Sequence, residues 1–179
     1  MKVESGFWLA DGDFRRPVTV HWVRRVVSVE DGSIDMERVS TSGVWVQRAG
    51  THFLTYADPG APPRSGDGPD ARAAARADQT TLRLKPGEVV LARFGDIDWQ
   101  HRFVPGRTTA SAIRTAGVRL PLEVRTERLQ MAVGRRGGAL RCRYLMAMGG
   151  VTQDVRLLIT WRDPVRRDAR APRGQSGDG

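Results

Sequence analysis

Disulfides, asparagine and long apolar runs are missing from this chain, and lysine nearly is. Cys142 is the single cysteine, so no internal disulfide can form and packing alone must hold the fold. That agrees with a reducing compartment, and the cytoplasm is the expected location. No run of about 18 apolar residues occurs, and Met1 to Pro17 carries acids and arginines where a secretory signal needs an apolar stretch. Neither a membrane span nor a membrane partner is therefore expected. His-Glu-x-x-His, Cys-x-x-Cys, the Gly-x-Ser-x-Gly elbow, a phosphate loop and a dinucleotide fingerprint are missing as well. No metal or cofactor is expected, no catalytic residue is assigned, and the balance leans away from an enzyme.

What is present is alternation. With 179 residues, 40% of them hydrophobic and 27% charged, the chain can bury one core, whereas two domains would each be marginal. Val18, Val20 and Trp22 alternate with Thr19 and His21, the period of a strand with one buried face. Glu30-Asp31-Gly32-Ser33 supplies turn chemistry, and Ile34 to Arg48 and Thr51 to Ala57 complete a meander of three strands. Residues 58–79, with Pro, Gly, Asp and Ala in quick succession, read as a flexible insertion between strands. Thr80 to Lys85, Val89 to Phe94, Trp99 to Val104 and Thr108 to Thr115 follow as short strands, punctuated by Pro86-Gly87, Gly95-Asp96 and Pro105-Gly106.

Further on, the inward residues Leu120, Leu122 and Val124 are even-numbered, whereas Leu129, Met131 and Val133 are odd-numbered. The inward face switches near Thr126 to Arg128, where a β-bulge or a sharp bend is expected to restore the register. Leu140, Cys142, Tyr144, Met146 and Met148 then make a one-sided strand, and Val155, Leu157, Ile159 and Trp161 the last one. The expected organisation is an N-terminal segment 1–16, an all-β domain 17–162 and a disordered tail 163–179. The fold class is a single antiparallel β-barrel of about eight to ten strands.

Several stretches resemble a family of uncharacterised bacterial proteins, the YwiB-like or DUF1934 family. The resemblance is carried by Gly43 with Leu54-Thr55-Tyr56, by Thr80 to Leu84, by Val89 to Gly95, and by Phe103 to Gly106. Thr115, Gly117, Leu122 to Thr126, Leu129, Gly137-Gly138, Leu140 and Tyr144 follow in order, so it spans roughly residues 18–162 apart from the insertion. It implies a lipocalin-like (calycin) barrel and no reaction. Ala57-Asp58-Pro59 and Ile113-Arg114-Thr115 depart from the family pattern, so a site built on those side chains is not carried over.

Two binding readings remain open. A barrel of this size can fill its interior with side chains or leave room for one small molecule. Trp22, Trp99, Phe103, Tyr144, Met146 and Trp161 are the candidate lining for a small apolar or amphipathic ligand, with plain core packing as the alternative. The second reading uses charge. The net charge of +9 sits wholly in residues 80–162, which hold fifteen basic and six acidic side chains. Arg119, Arg125, Arg141, Arg143 and Arg156 are expected on the outer face, where RNA or another polyanion is the candidate partner. A biased, solvated arginine surface is the alternative there. His21, His52 and His101 stand on separate strands, Asp96 and Asp98 read as turn residues, and Cys142 reads as a small hydrophobe. Oligomeric state cannot be read.

Overall fold

The computed structural model describes residues 12–57 and 79–164. Ten strands follow one another: β1 (Phe14–Ser28), β2 (Ile34–Arg48), β3 (Thr51–Ala57), β4 (Gln79–Lys85), β5 (Glu88–Phe94), β6 (Ile97–Phe103), β7 (Thr108–Thr115), β8 (Val118–Gly134), β9 (Gly137–Met148) and β10 (Val151–Arg162). Each pairs antiparallel with the next, and β10 returns to β1, closing the barrel. No helix is present among the described residues, so none is long and apolar enough to cross a membrane.

Short turns suffice because neighbours in sequence are neighbours in the sheet. Ala49–Gly50 and Ala116–Gly117 both hold positive φ at two successive residues, the conformation whose twist matches that of paired strands. β1 begins at Phe14, ahead of the alternation that starts at Pro17, with Phe14 to Arg16 paired to Trp45 to Gln47. Arg16 hides that start in the sequence. Its guanidinium lies over the Phe14 ring at 4.3 Å and the Trp45 ring at 5.5 Å, so a charged residue occupies an inward position as a lid. The expected insertion at 58–79 and the tail from 163 lie outside the described residues, save for Gln79, which opens β4, and Asp163 and Pro164.

The bulge falls where parity demands. Thr126 pairs with Tyr144 and Arg128 with Arg143, leaving Glu127 as the extra residue. Thr126 is fully buried, and its backbone is held by the β6–β7 turn: its carbonyl accepts from Gly106 N at 2.8 Å and its N–H donates to Arg107 O at 3.0 Å. β7 has ended at this level, so the turn supplies the partner that a strand would otherwise give.

The lower end, where β1 starts and β10 ends, is sealed by rings. Phe14 meets Trp45 edge-on at 4.7 Å, Trp45 meets Trp161 at 6.1 Å, and His52 lies 5.6 Å from Trp45. Trp161 is accommodated because its cross-strand partner is Gly138. A Cβ at Gly138 would sit 2.7 Å from Ala132 O and collide with the Trp161 indole, so a close approach of backbone and ring requires glycine there.

Candidate functional site

The six candidate lining residues all face inward and belong to one apolar cluster. Trp22, Phe103, Tyr144 and Trp161 are buried, and Trp99 and Met146 are partly buried against them. Strands β6 and β9 are not neighbours, yet Phe103 and Tyr144 bring their ring centroids within 5.0 Å, so these rings meet across the interior. Tyr144 has its phenol pushed above the usual range by burial. Trp161 belongs to the sealed lower end and does not face the space above this contact.

Towards the upper end the inward face mixes buried residues, Leu122 and Val124, with partly buried ones. Trp99, Ile113, Met146 and Met148 are inward residues left only partly buried. They are contiguous: Trp99 lies opposite Ile113, Ile113 opposite Leu120, Leu122 opposite Met148, and Val124 opposite Met146. At the same end the inner face of β1 and β2 carries an ion pair, Arg24 Nη2 to Glu37 Oε2 at 3.1 Å, with Asp35 at 3.9 Å. An apolar wall thus ends in a charged rim.

β6 and β7 are joined by three residue pairs only, from Ile97–Thr115 to Trp99–Ile113. Below that level side chains replace the ladder. Trp99 Nε1 donates to Ser111 Oγ at 3.1 Å, Ser111 Oγ lies 2.8 Å from His101 Nδ1, and His101 Nε2 lies 3.0 Å from Thr109 Oγ1, which reaches Arg102 O at 3.3 Å. Every hydrogen finds an acceptor in one arrangement: Trp99 gives to Ser111, Ser111 to Nδ1, Nε2–H to Thr109, and Thr109 to the carbonyl. Burial pushes the His101 imidazole down to about 4, which keeps the ring neutral as this chain requires.

An open groove of about 530 Å³ lies outside the seam, with Arg83, Gln100 and Arg102 on its walls and His101, Thr109 and Ser111 at its base. A serine beside a neutral imidazole invites comparison with a nucleophile and its base. Here the far ring nitrogen faces Thr109, and Ser111 already accepts the indole proton, so the trio serves as a side-chain ladder. Asp98 is used in the turn, accepting from Gly95 N at 3.1 Å. Among the described residues no group of three or more His, Cys, Asp or Glu could hold a metal ion. Cys142 is buried, and its thiol is pushed up to about 12 by desolvation, which makes it inert.

Of the five candidate arginines, Arg143 and Arg156 lie directly opposite each other on β9 and β10, and Arg141 stands two residues from Arg143. Arg125 precedes the bulge and pairs with Glu127 at 2.9 Å. Arg119 is separate, near the upper end, opposite Arg114 of β7.

Residues 22–157 match the profile of a family described as "Domain of unknown function (DUF1934)". The chain belongs to the DUF1934 family. The crystal structure of the YwiB protein from Bacillus subtilis is similar, with a TM-score of 0.67 at 20% identity, covering 84% of this chain and 93% of that one. At that identity the likeness speaks for the fold alone, and the fold is the all-β, lipocalin-like barrel expected from the resemblance. No curated protein matches the chain.

The DUF1934 chain contains two groupings that reading its sequence missed. Ser111 and Thr109 share inward parity with Trp99 and His101, but only the splaying of β6 from β7 puts hydroxyls beside the ring. Arg25 of β1 lies opposite Arg156, and Arg128 of β8 lies opposite Arg143. Arg128 was obscured by the bulge, which places Glu127 and Arg128 consecutively on the outside, and Arg25 by its distance in sequence from the other arginines.

Proposed function

We propose that the upper half of the barrel binds a small amphipathic molecule, with its apolar body against Trp99, Ile113, Met146 and Met148 and its polar end at the Arg24–Glu37 rim. The carrying observation is the uneven placing of the rings: Phe14, Trp45 and Trp161 pack together at the lower end, while above the Phe103–Tyr144 contact the side chains of Trp99, Ile113, Met146 and Met148 stay only partly buried. Eight strands enclose an interior that side chains just fill, and ten enclose more. Methionine suits such a wall because its unbranched, polarizable side chain adapts to ligands of differing shape. Trp22, Phe103 and Tyr144 form the floor in this reading, and the reading is non-enzymatic.

The test is a titration with 1-anilinonaphthalene-8-sulfonate and a medium-chain fatty acid, followed by probe emission and by tryptophan fluorescence. Met146→Trp, which fills the wall without adding charge, is expected to weaken binding about tenfold or more while circular dichroism and Tm stay close to the parent. Binding that is indifferent to Met146→Trp, or no binding of either probe to the folded parent, removes the proposal.

A further inference from the structure

Four arginines stand in one line across four adjacent strands. Arg25 of β1 is opposite Arg156 of β10, Arg156 is opposite Arg143 of β9, and Arg143 is opposite Arg128 of β8. Cross-strand partners project from the same face, and here it is the outer one: the Arg143 and Arg156 side chains are 48% and 52% exposed. With strands about 4.8 Å apart, the line runs for roughly 14 Å. Arg141 extends it along β9.

Like charges directly opposite one another destabilise a sheet, so such a row needs an anion. Asp154 supplies one charge. It accepts from Arg143 Nε at 3.1 Å and Nη2 at 2.9 Å, and lies 3.5 Å from Arg156. The Arg143 guanidinium beside Asp154 holds that carboxyl below the usual carboxylate range. Arg25 and Arg128 take part in no ion pair among the described residues. With Arg125 counted, five positive charges face two negatives, Asp154 and Glu127, the second paired with Arg125 and close enough to act on Arg143.

We infer that this row is a docking surface for a nucleic-acid double helix, gripped through its phosphates without regard to sequence. Three observations select that partner. The surface is the convex outside of a barrel, which suits an extended polyanion more than a small one. Guanidinium groups offer planar, paired donors that match phosphate oxygens. And the outer face of β1, β8, β9 and β10 presents no Phe, Tyr or Trp on which unpaired bases could stack, so single strands lose the contribution that usually holds them.

The experiment measures fluorescence anisotropy of the full chain with labelled 20-base-pair RNA and DNA duplexes, a single strand of equal length, and anionic phospholipid vesicles. Neutralising four phosphates predicts a log–log salt slope near −3.6, which is an affinity loss of about 10²-fold between about 50 and 200 mM salt. Arg25→Ser with Arg128→Ser is expected to weaken duplex binding at least tenfold, whereas Arg48→Ser with Arg114→Ser, the same charge removed away from the row, changes it less than twofold. Asp154→Asn frees Arg143 and Arg156 and is expected to strengthen binding several-fold. Equal loss in both double variants overturns the inference, as does weaker binding in Asp154→Asn that keeps the parent Tm. Binding to vesicles or single strands with none to duplexes overturns it in favour of another partner.

Discussion

His101 shows how much can rest on one side chain. In the folded state its ring stays neutral down to about pH 4, whereas in the unfolded chain it takes up a proton below about 6.5. A depressed folded pKa means that the unfolded state binds more protons across this window. The contribution to stability is therefore complete above about pH 6.5 and is lost as pH falls towards 4, by up to about 1.4 kcal/mol per pH unit. Urea unfolding at pH 7 and pH 4.5 is expected to show His101→Gln less stable than the parent at pH 7, with the gap narrowing at pH 4.5. A gap that is constant across the window would mean that the imidazole is not the titrating group. The residue scale is also where the sequence was least informative: the tryptophan, histidine, serine and threonine of the seam are individually ordinary, and only their arrangement is unusual.

At the scale of elements, β8 tests the parity argument. Removing Glu127 takes out the bulge but leaves Thr126 opposite Tyr144 and Leu129 opposite Cys142, so every apolar residue keeps its inward direction. Removing Gln130 forces a choice that buries Arg128 in place of Leu129 or turns Val133 outward. The first deletion is expected to yield a soluble protein that unfolds cooperatively, at a cost of about 1–3 kcal/mol for the lost bend; the second is expected not to fold. Soluble expression and thermal melts compare them, and equal behaviour of the two would show that the bulge does not set the register. β8 was legible because alternation carries its own phase, and a change of phase between Val124 and Leu129 admits few physical remedies. The beginning of β1 was not, because an arginine over two rings looks like a solvated residue until the rings are in place.

For the whole molecule, closure makes every strand interior to the sheet, and the weakest join is then the place to look for opening. That join is β6 to β7, with three backbone pairs and a chain of side-chain hydrogen bonds. Amide hydrogen exchange is expected to be fastest, among the strands, at Gln100–Phe103 and Thr108–Ala112, and to rise further in Ser111→Ala. Protection at those amides equal to that of β9 and β10 would show the seam to be as firm as a full ladder. The arginine row belongs to this scale too, since no hairpin contains more than two of its members.

The amino-acid sequence alone determined the all-β class, nearly all strand positions, the inward residues and the bulge, because each follows from which side of an extended segment water is kept from. It also placed the excess charge in residues 80–162. Only the tertiary structure decided that β1 closes on β10, that Phe103 meets Tyr144 across the interior, that His101 has hydroxyl partners, and that Arg25, Arg156, Arg143 and Arg128 stand side by side. Those facts depend on register between strands distant in the chain, and alternation fixes the face of a residue without fixing its height against a neighbour.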